Sequence, residues 1–169
     1  MAVKNQTPQV ITGCVIADAG PLIVLAKVKR LGMLKRLFGR VFITPEVAQE
    51  LQLDSAAPGA AALTQALRDG WLARLPGDAP AVAHPFLDAG EASCLAAAAP
   101  GSLLLMDERL GRREAAKRGI PFTGTAGVLC AAKARGFIKE VVPILDTMRS
   151  AGYFLGDAVI AQARRQADE

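Results

Sequence analysis

A short apolar run that stops at a single carboxylate is the sequence feature that most constrains the fold. Residues 14–17 are apolar, Asp18 follows directly, and Gly20-Pro21 leads into a segment with apolar residues at helical spacing. This order is typical of a buried strand, a tight turn and a helix start. Proline is tolerated in the first helical turn, where its missing N–H costs little. Asp18 is therefore predicted at the carboxyl end of the first strand, the edge where open α/β sheets bind ligands.

The same alternation of short apolar segments and helical patterns continues along the chain. Strands are predicted over 14–17, 41–43, 71–75, 102–106 and 120–123. Helices are predicted over 22–29, 31–38, 45–53, 60–68, 88–99, 108–118, 128–135, 138–150 and from 153 to the end. Alternating strands and helices predict a parallel sheet covered on both faces. The last strand contains Pro121 and is predicted at a sheet edge.

The domain organisation follows from the absence of a dividing linker. Residues 13–169 are predicted to form a single domain that includes the C-terminal helices, and residues 1–12 a flexible leader. Residues 76–85 are rich in proline and alanine and are predicted to form a loop.

Composition limits the classes of function. Hydrophobic residues make up 51% of the chain but aromatic residues only 5%, so the core is predicted to be mostly alanine, leucine and valine. No apolar run reaches membrane length and no signal-peptide pattern is present, which predicts a cytoplasmic protein without a membrane partner. The three cysteines lie in apolar segments and are predicted to be buried free thiols. The single histidine, His84, argues against a histidine-based zinc site. A net charge of +4 permits an anionic partner such as RNA without requiring one.

Four carboxylates share one predicted position. Asp18 and Asp107 each follow an apolar strand, Glu91 lies in the first turn of a helix, and Glu50 lies in the helix after the second strand. In a doubly wound sheet all four lie at one edge, where they repel one another and raise each other's pKa. Mg²⁺ or Mn²⁺ relieves that repulsion because both ions prefer oxygen ligands. The corresponding chemistry is metal-assisted hydrolysis of a phosphodiester.

Each of these acids also has a purely structural interpretation. Asp18 could cap its helix, and the spacing of residues 88–91 matches a capping box that would occupy the glutamate. Glu50 could lie on a solvated helix face. Either Asp107 or Glu108 could cap the following helix, and which of the two faces a metal stays open.

A basic strip follows Asp107. Its members are Arg109, Arg112, Arg113, Lys117 and Arg118. They could contact phosphates, with Arg112 and Arg113 the best candidates, or form a solvated helix face paired with Glu108 and Glu114. Residues 123–125, at the next strand-to-helix turn, could hydrogen-bond a phosphate or a metal-bound water, or could equally supply a helix N-cap, for which Thr125 is the better candidate.

Five segments together resemble PIN-domain proteins. They are residues 15–23, 41–45 together with the pair 50–51, 90–92, 104–108 and 124–129. Their order and spacing are similar to those of a prokaryotic branch related to VapC-type toxins, and the resemblance spans residues 14 to 155.

The resemblance implies a three-layer α/β/α, Rossmann-like fold with a parallel sheet of four to five strands. It also implies a Mg²⁺ or Mn²⁺ site, single-strand ribonuclease activity, a homodimer and an antitoxin encoded next to it. By matching motif, the metal ligands carry over to Asp18, Glu50, Glu91 and Asp107. The better-studied toxins have aspartate where this chain has Glu91, and often a Thr-Asn-Asp-like run where this chain has residues 106–109.

Two hypotheses of different classes follow. The first is a metal-dependent endoribonuclease, the toxin of a toxin–antitoxin pair, with the four acids as catalytic and metal residues and Arg112, Arg113 and Thr125 binding substrate. The second is a non-catalytic PIN-fold module that holds nucleic acid or a protein through the basic strip and residues 138–150 and 156–167. A third, weaker hypothesis is a phosphatase of the haloacid-dehalogenase kind, which needs an aspartate two residues after Asp18, where Gly20 stands.

Overall fold

A computed structural model describes residues 13–75 and 84–169. The predicted leader, residues 1–12, and most of the predicted loop lie outside the described residues. The strands are β1 (Val15–Ala17), β2 (Val41–Ile43), β3 (Leu72–Arg74), β4 (Leu103–Leu105) and β5 (Phe122–Thr123). The helices are α1 (Ala19–Lys27), α2 (Gly32–Phe38), α3 (Pro45–Glu50), α4 (Ala60–Arg68), α5 (Ala89–Ala97), α6 (Arg109–Lys117), α7 (Thr125–Ala134), α8 (Val142–Ser150) and α9 (Asp157–Ala167).

The strands form one parallel sheet in the order β3-β2-β1-β4-β5, with helices on both sides. This confirms the predicted three-layer α/β/α architecture and the edge position of β5. Because all strands are parallel, their carboxyl ends lie on one edge. The chain reverses its direction of winding between β1 and β4, and the crevice at such a switch point is where ligands bind in α/β folds. Asp18 directly follows β1 and Asp107 lies two residues beyond β4.

The two central strands lie in the hydrophobic core. Every residue of β1 and β4 is buried, as expected for parallel strands covered on both faces. The core is mostly leucine, valine and alanine, as the composition predicts. Within the described residues, Cys94 and Cys130 are buried and Cys14 is half-buried, and all three are free thiols. No helix in the described part of the chain is both long and apolar enough to cross a membrane.

The start of α9 lies at Asp157, four residues later than predicted, and four other helix boundaries differ from the prediction by three or more residues. Helices α1 and α7 each begin three residues earlier than predicted, at Ala19 and Thr125. Helix α3 ends at Glu50 rather than residue 53, and Gln52 then adopts a left-handed backbone with φ of 46°.

The fourth difference concerns α8, which begins at Val142 instead of residue 138. Pro143 explains this boundary because it has no N–H with which to extend the helical ladder upstream. The N–H groups of Val141 and Val142, at the start of α8, donate instead to the side chain of Glu169, at 2.7 and 2.9 Å. These bonds connect the start of α8 to the end of the chain after α9.

Candidate metal centre

Three carboxylates converge at the carboxyl edge of the sheet. One oxygen from each of Asp18, Glu50 and Asp88 lies within 4.8 Å of the other two. We call this group the acidic triad. Asp18 follows β1, Glu50 is the last residue of α3, and Asp88 directly precedes α5. Asp18 and Glu50 are ligands predicted from the sequence, whereas the sequence indicates only a capping role for Asp88. Asp88 lies one helical turn before Glu91, at the same end of α5, and this spacing is the sequence signal that could have identified Asp88 as a further ligand.

Asp18 is the buried member of the triad. Its side chain is 6% exposed, and Oδ1 has no hydrogen-bond partner among the described residues. It occupies the N-cap position of α1 but makes no capping bond. Burial, the largest cause, together with the nearby charges of Asp88 and Glu50 raises the pKa of Asp18 to about 7. An ionised Asp18 is thus costly unless a cation accompanies it.

Glu50 is held at the triad by the start of α5. The N–H of Gly90 donates to Oε1 of Glu50 at 3.0 Å. A Cβ at position 90 would lie only 2.6 Å from that oxygen, so the absence of a side chain permits the approach. Burial, followed by the charge of Asp88, raises the pKa of Glu50.

A buried chain of hydroxyls fixes the spacing of α3 and α5. Ser93 donates to the carbonyl oxygen of Gly90 at 2.7 Å, and its Oγ lies 2.7 Å from Oγ1 of Thr44. Since the Ser93 proton is used, Thr44 is the donor between the two hydroxyls. Thr44 also accepts from the N–H of Val47 as the predicted N-cap of α3.

Glu91 combines capping with a free oxygen. The capping box is present: Asp88 accepts from the N–H of Glu91 at 2.8 Å, and Oε2 of Glu91 accepts from the N–H of Asp88 at 3.2 Å. Its other oxygen, Oε1, is buried without a hydrogen-bond partner and lies 2.9 Å from where a Cβ on Gly111 would be. Burial is the largest cause that raises the pKa of Glu91. Glu91 therefore lies beside the acidic triad without belonging to it.

Asp107 lies on the other side of Asp18 in the strand order, and its oxygens are engaged. Oδ1 accepts from the N–H of Thr125 at 2.7 Å, and Oδ2 accepts from the hydroxyls of Thr125 and Tyr153, each at 2.5 Å. The expectation that Thr125 caps α7 is wrong, because Gly124 is the N-cap and Thr125 is the first helical residue. Since Gly124 has no side chain, Asp107 supplies the cap from β4.

Tyr153 is a site residue that sequence analysis missed, because nothing local links it to Asp107. Burial and the adjacent Asp107 carboxylate raise the pKa of Tyr153, so it stays a neutral donor. Glu108 occupies the N-cap position of α6 without making a side-chain cap bond, and it is exposed.

The basic strip divides between two surfaces. Arg112 is half-buried, with its guanidinium 5.1 Å from the ring centre of Phe122, beside the Asp107 end of the site. Arg113 is exposed and lies with Leu110 beside a separate depression. Lys117 pairs with Glu114 at 2.5 Å, as the structural interpretation of the strip predicts. Arg112 and Arg113 have no carboxylate within 4.0 Å in the described ranges.

The donor set fits a hard divalent cation. In the parts of the chain that the structure describes, the buried side-chain oxygens without hydrogen bonds are Asp18 Oδ1, Glu46 Oε2 and Glu91 Oε1. Buried polar atoms are rarely left unpaired, and all three here belong to acids. The pKa of the buried Cys94 thiol is raised first by burial and then by four nearby carboxylates, which are Asp18, Glu50, Asp88 and Glu46. An ion with oxygen ligands would supply the missing partner and offset the repulsion.

Comparison with known proteins agrees with this chemistry. A family model described as a PIN domain matches residues 14–169. The chain belongs to the PIN-domain family. PIN domains are generally metal-dependent nucleases, and the acidic triad of this PIN domain is compatible with metal binding. No curated protein matches the chain.

Proposed function

We propose that this PIN domain is a metal-dependent endoribonuclease that hydrolyses the phosphodiesters of single-stranded RNA. The observation that carries the proposal is the buried, unpaired Oδ1 of Asp18 within 4.8 Å of two further carboxylates. Asp18, Glu50 and Asp88 would hold Mg²⁺ or Mn²⁺. The ion, when bound, supplies charge neutralisation at the phosphate and activates water for attack.

The side chains around the triad have separate tasks. Asp18 is part-protonated at neutral pH, because its pKa is about 7, and it would hold the cation as the ionised carboxylate. Glu91 has one carboxylate oxygen used by the capping box and one buried oxygen without a partner. That free Oε1, with a raised pKa, is suited to accept the proton of the attacking water.

Arg112 is the best-placed phosphate contact. A Cβ on Gly124 would lie 2.5 Å from Oδ1 of Asp107 and 3.6 Å from a terminal nitrogen of Arg112, so the two groups flank the same point. With no carboxylate partner among the described residues, the guanidinium is available to a phosphate, which it can bind through two donors. Thr125 already donates its hydroxyl to Asp107, so its contribution to substrate binding is to position that carboxylate. Arg113 adds positive charge at longer range.

The cellular role that we propose is the toxin half of a toxin–antitoxin pair, acting in the cytoplasm as a homodimer. Its support is the resemblance to VapC-type toxins. Expression in a bacterial host would test this role separately from the chemistry. The wild type should arrest growth, a variant without Asp18 should not, and a protein encoded beside the toxin gene should relieve the arrest.

One observation favours the alternative of a non-catalytic RNA-binding module. Asp107 accepts three hydrogen bonds from Thr125 and Tyr153, so both of its oxygens already have donors. If a complete site needs this fourth acid, RNA would be held by the α6 arginines without being cut.

The deciding experiment is cleavage of a mixed-sequence single-stranded RNA with Mn²⁺, with EDTA and with the Asp18→Asn variant. Asp54→Asn is the matched control, since Asp54 is an exposed acid on a turn after α3. Metal-dependent cutting that is lost in Asp18→Asn and kept in Asp54→Asn is the expected result. Retention of RNA without cutting, under the same conditions, would replace the nuclease with the binding module.

A further inference from the structure

A second concave site lies on the far side of Asp107 from the acidic triad. It is a cavity of about 230 Å³ between the end of β5, the start of α7 and one face of α9. Its lining includes Asp107, Arg112, Phe122, Gln162 and Gln166. Pockets for drug-sized ligands are larger, so this one suits a single small ring system.

The position of the cavity relates it to the triad. In the strand order, Asp18 follows β1, Asp107 follows the neighbouring β4, and Gly124 follows β5. The triad and the cavity therefore lie next to each other along the carboxyl edge, with Asp107 between them. A nucleic acid with one phosphate at the triad would place a neighbouring nucleotide at the cavity.

The lining has the chemistry of a nucleotide site. Gln162 and Gln166 are one helical turn apart on α9 and so present their amides on the same face. Neither side chain makes a hydrogen bond within the described residues, although each carries both donors and an acceptor. Such amides pair with the edges of nucleobases. Phe122 and Val159 provide an apolar wall, and Arg112 brings a cation to the same space.

We propose that this cavity binds the nucleobase of a nucleotide next to the scissile phosphate, with Gln162 and Gln166 recognising the base edge and Arg112 holding its phosphate. This inference rests on the proposed function, because it places the cavity along a nucleic-acid substrate. The two glutamines determine specificity and take no part in bond cleavage. The substrate class is thus an RNA with a preferred base beside the cut.

Binding of the four nucleoside 5′-monophosphates, measured by NMR titration of the whole chain without metal, tests the cavity independently of cleavage. We expect the wild type to bind at least one of them more tightly than the others. Gln162→Ala/Gln166→Ala should remove that preference, with about a fivefold loss per hydrogen bond. Arg112→Ala should weaken all four alike. Gln65→Ala is the control, because Gln65 is an exposed helical glutamine that bonds Asp69 on α4.

Cleavage of RNA supplies the second measurement. In an active enzyme the double glutamine variant should change the ratio of cleavage rates at different sites while the Mn²⁺ affinity stays that of the wild type. Preferential monophosphate binding that depends on the glutamines, in a protein that never cuts RNA, would uphold the cavity and reject the nuclease. Equal binding by the wild type and the double variant, or no binding of any monophosphate, would overturn the proposal.

Discussion

Tyr153 donates its hydroxyl to Oδ2 of Asp107 at 2.5 Å across 46 positions of sequence. The tyrosine lies between α8 and α9, and its hydroxyl is 3.5 Å from where a Cβ on Gly20 would be. This contact joins the C-terminal helices to the carboxyl edge of the sheet. It also fixes Asp107, which like Glu91 is a predicted acid outside the triad.

Tyr153→Phe should lower the free energy of unfolding by about 1.5–3 kcal/mol, the usual worth of a hydrogen bond to a charged group. Mn²⁺ affinity should be unchanged because Asp107 is not part of the triad. Urea denaturation and calorimetric titration measure the two quantities. Phe154→Leu, at a neighbouring residue that is 92% exposed, should leave stability within about 0.5 kcal/mol of the wild type. A large loss of Mn²⁺ affinity in Tyr153→Phe would show that Asp107 is a ligand after all.

The metal-free protein should become less stable as pH rises from about 4 to about 7. Asp18 has a pKa near 7 when folded and near 3.8 when unfolded, so the folded state binds more protons in this window. The stabilisation is fully present below pH 4 and is lost by pH 7, with a total of a few kcal/mol at most. Glu50 and Glu91 act in the same direction, since burial raises the pKa of both.

Denaturation of Asp18→Asn over the same range provides the comparison. Its slope against pH should be shallower than that of the wild type, and at pH 7.5 the variant should be the more stable protein without metal. Added Mn²⁺ should restore the stability of the wild type at pH 7.5 but should not stabilise the variant. Parallel pH profiles for the two proteins would contradict the burial of a titrating Asp18.

The sheet and most helices could be predicted because the relevant forces are local in sequence. Apolar runs that end at Asp18 and at Asp107 specify two central strands, and Thr44-Pro45 specifies the start of α3. The convergence of Asp18 and Glu50 also followed from the rule that parallel strands share one edge. The predictions that were wrong concern features that depend on contacts between residues distant in sequence. Gly124 leaves the start of α7 uncapped, and only the tertiary structure shows that Asp107 fills the role.

Asp88 and Glu91 can be separated by substitutions that keep the capping box. Asn is as good an N-cap as Asp, and Gln replaces Glu at the third position of the box. Asp88→Asn should therefore weaken Mn²⁺ binding by about tenfold or more, because the triad loses a carboxylate, while stability is kept. Glu91→Gln should affect Mn²⁺ binding much less, and should lower the rate of RNA cleavage if Oε1 accepts a proton. Calorimetry and cleavage assays on both variants measure these effects, and the reverse order of Mn²⁺ affinities would place Glu91 in the metal centre.

Gly90→Ala should impair the metal centre without unfolding the protein. The new Cβ would lie 2.6 Å from Oε1 of Glu50, so the glutamate must leave its position in the triad. Alanine is more favourable than glycine within a helix by about 0.5–1 kcal/mol, and this gain offsets part of the strain. Gly32→Ala is the control, because nothing lies within 4 Å of a Cβ at that helical position. We expect weaker Mn²⁺ binding in Gly90→Ala only, measured by thermal shift with and without Mn²⁺.

The hydroxyl chain between α3 and α5 should be a source of stability that the metal does not replace. Ser93 is 5% exposed and contacts both Thr44 and the carbonyl oxygen of Gly90, so Ser93→Ala leaves buried polar groups unpaired. The expected cost is about 1–3 kcal/mol in urea denaturation, with saturating Mn²⁺ or without it. Ser150→Ala, which removes a hydroxyl from the exposed end of α8, should cost less than about 0.5 kcal/mol. If Mn²⁺ fully rescued Ser93→Ala, the spacing of α3 and α5 would be set by the ion instead of by the hydroxyls.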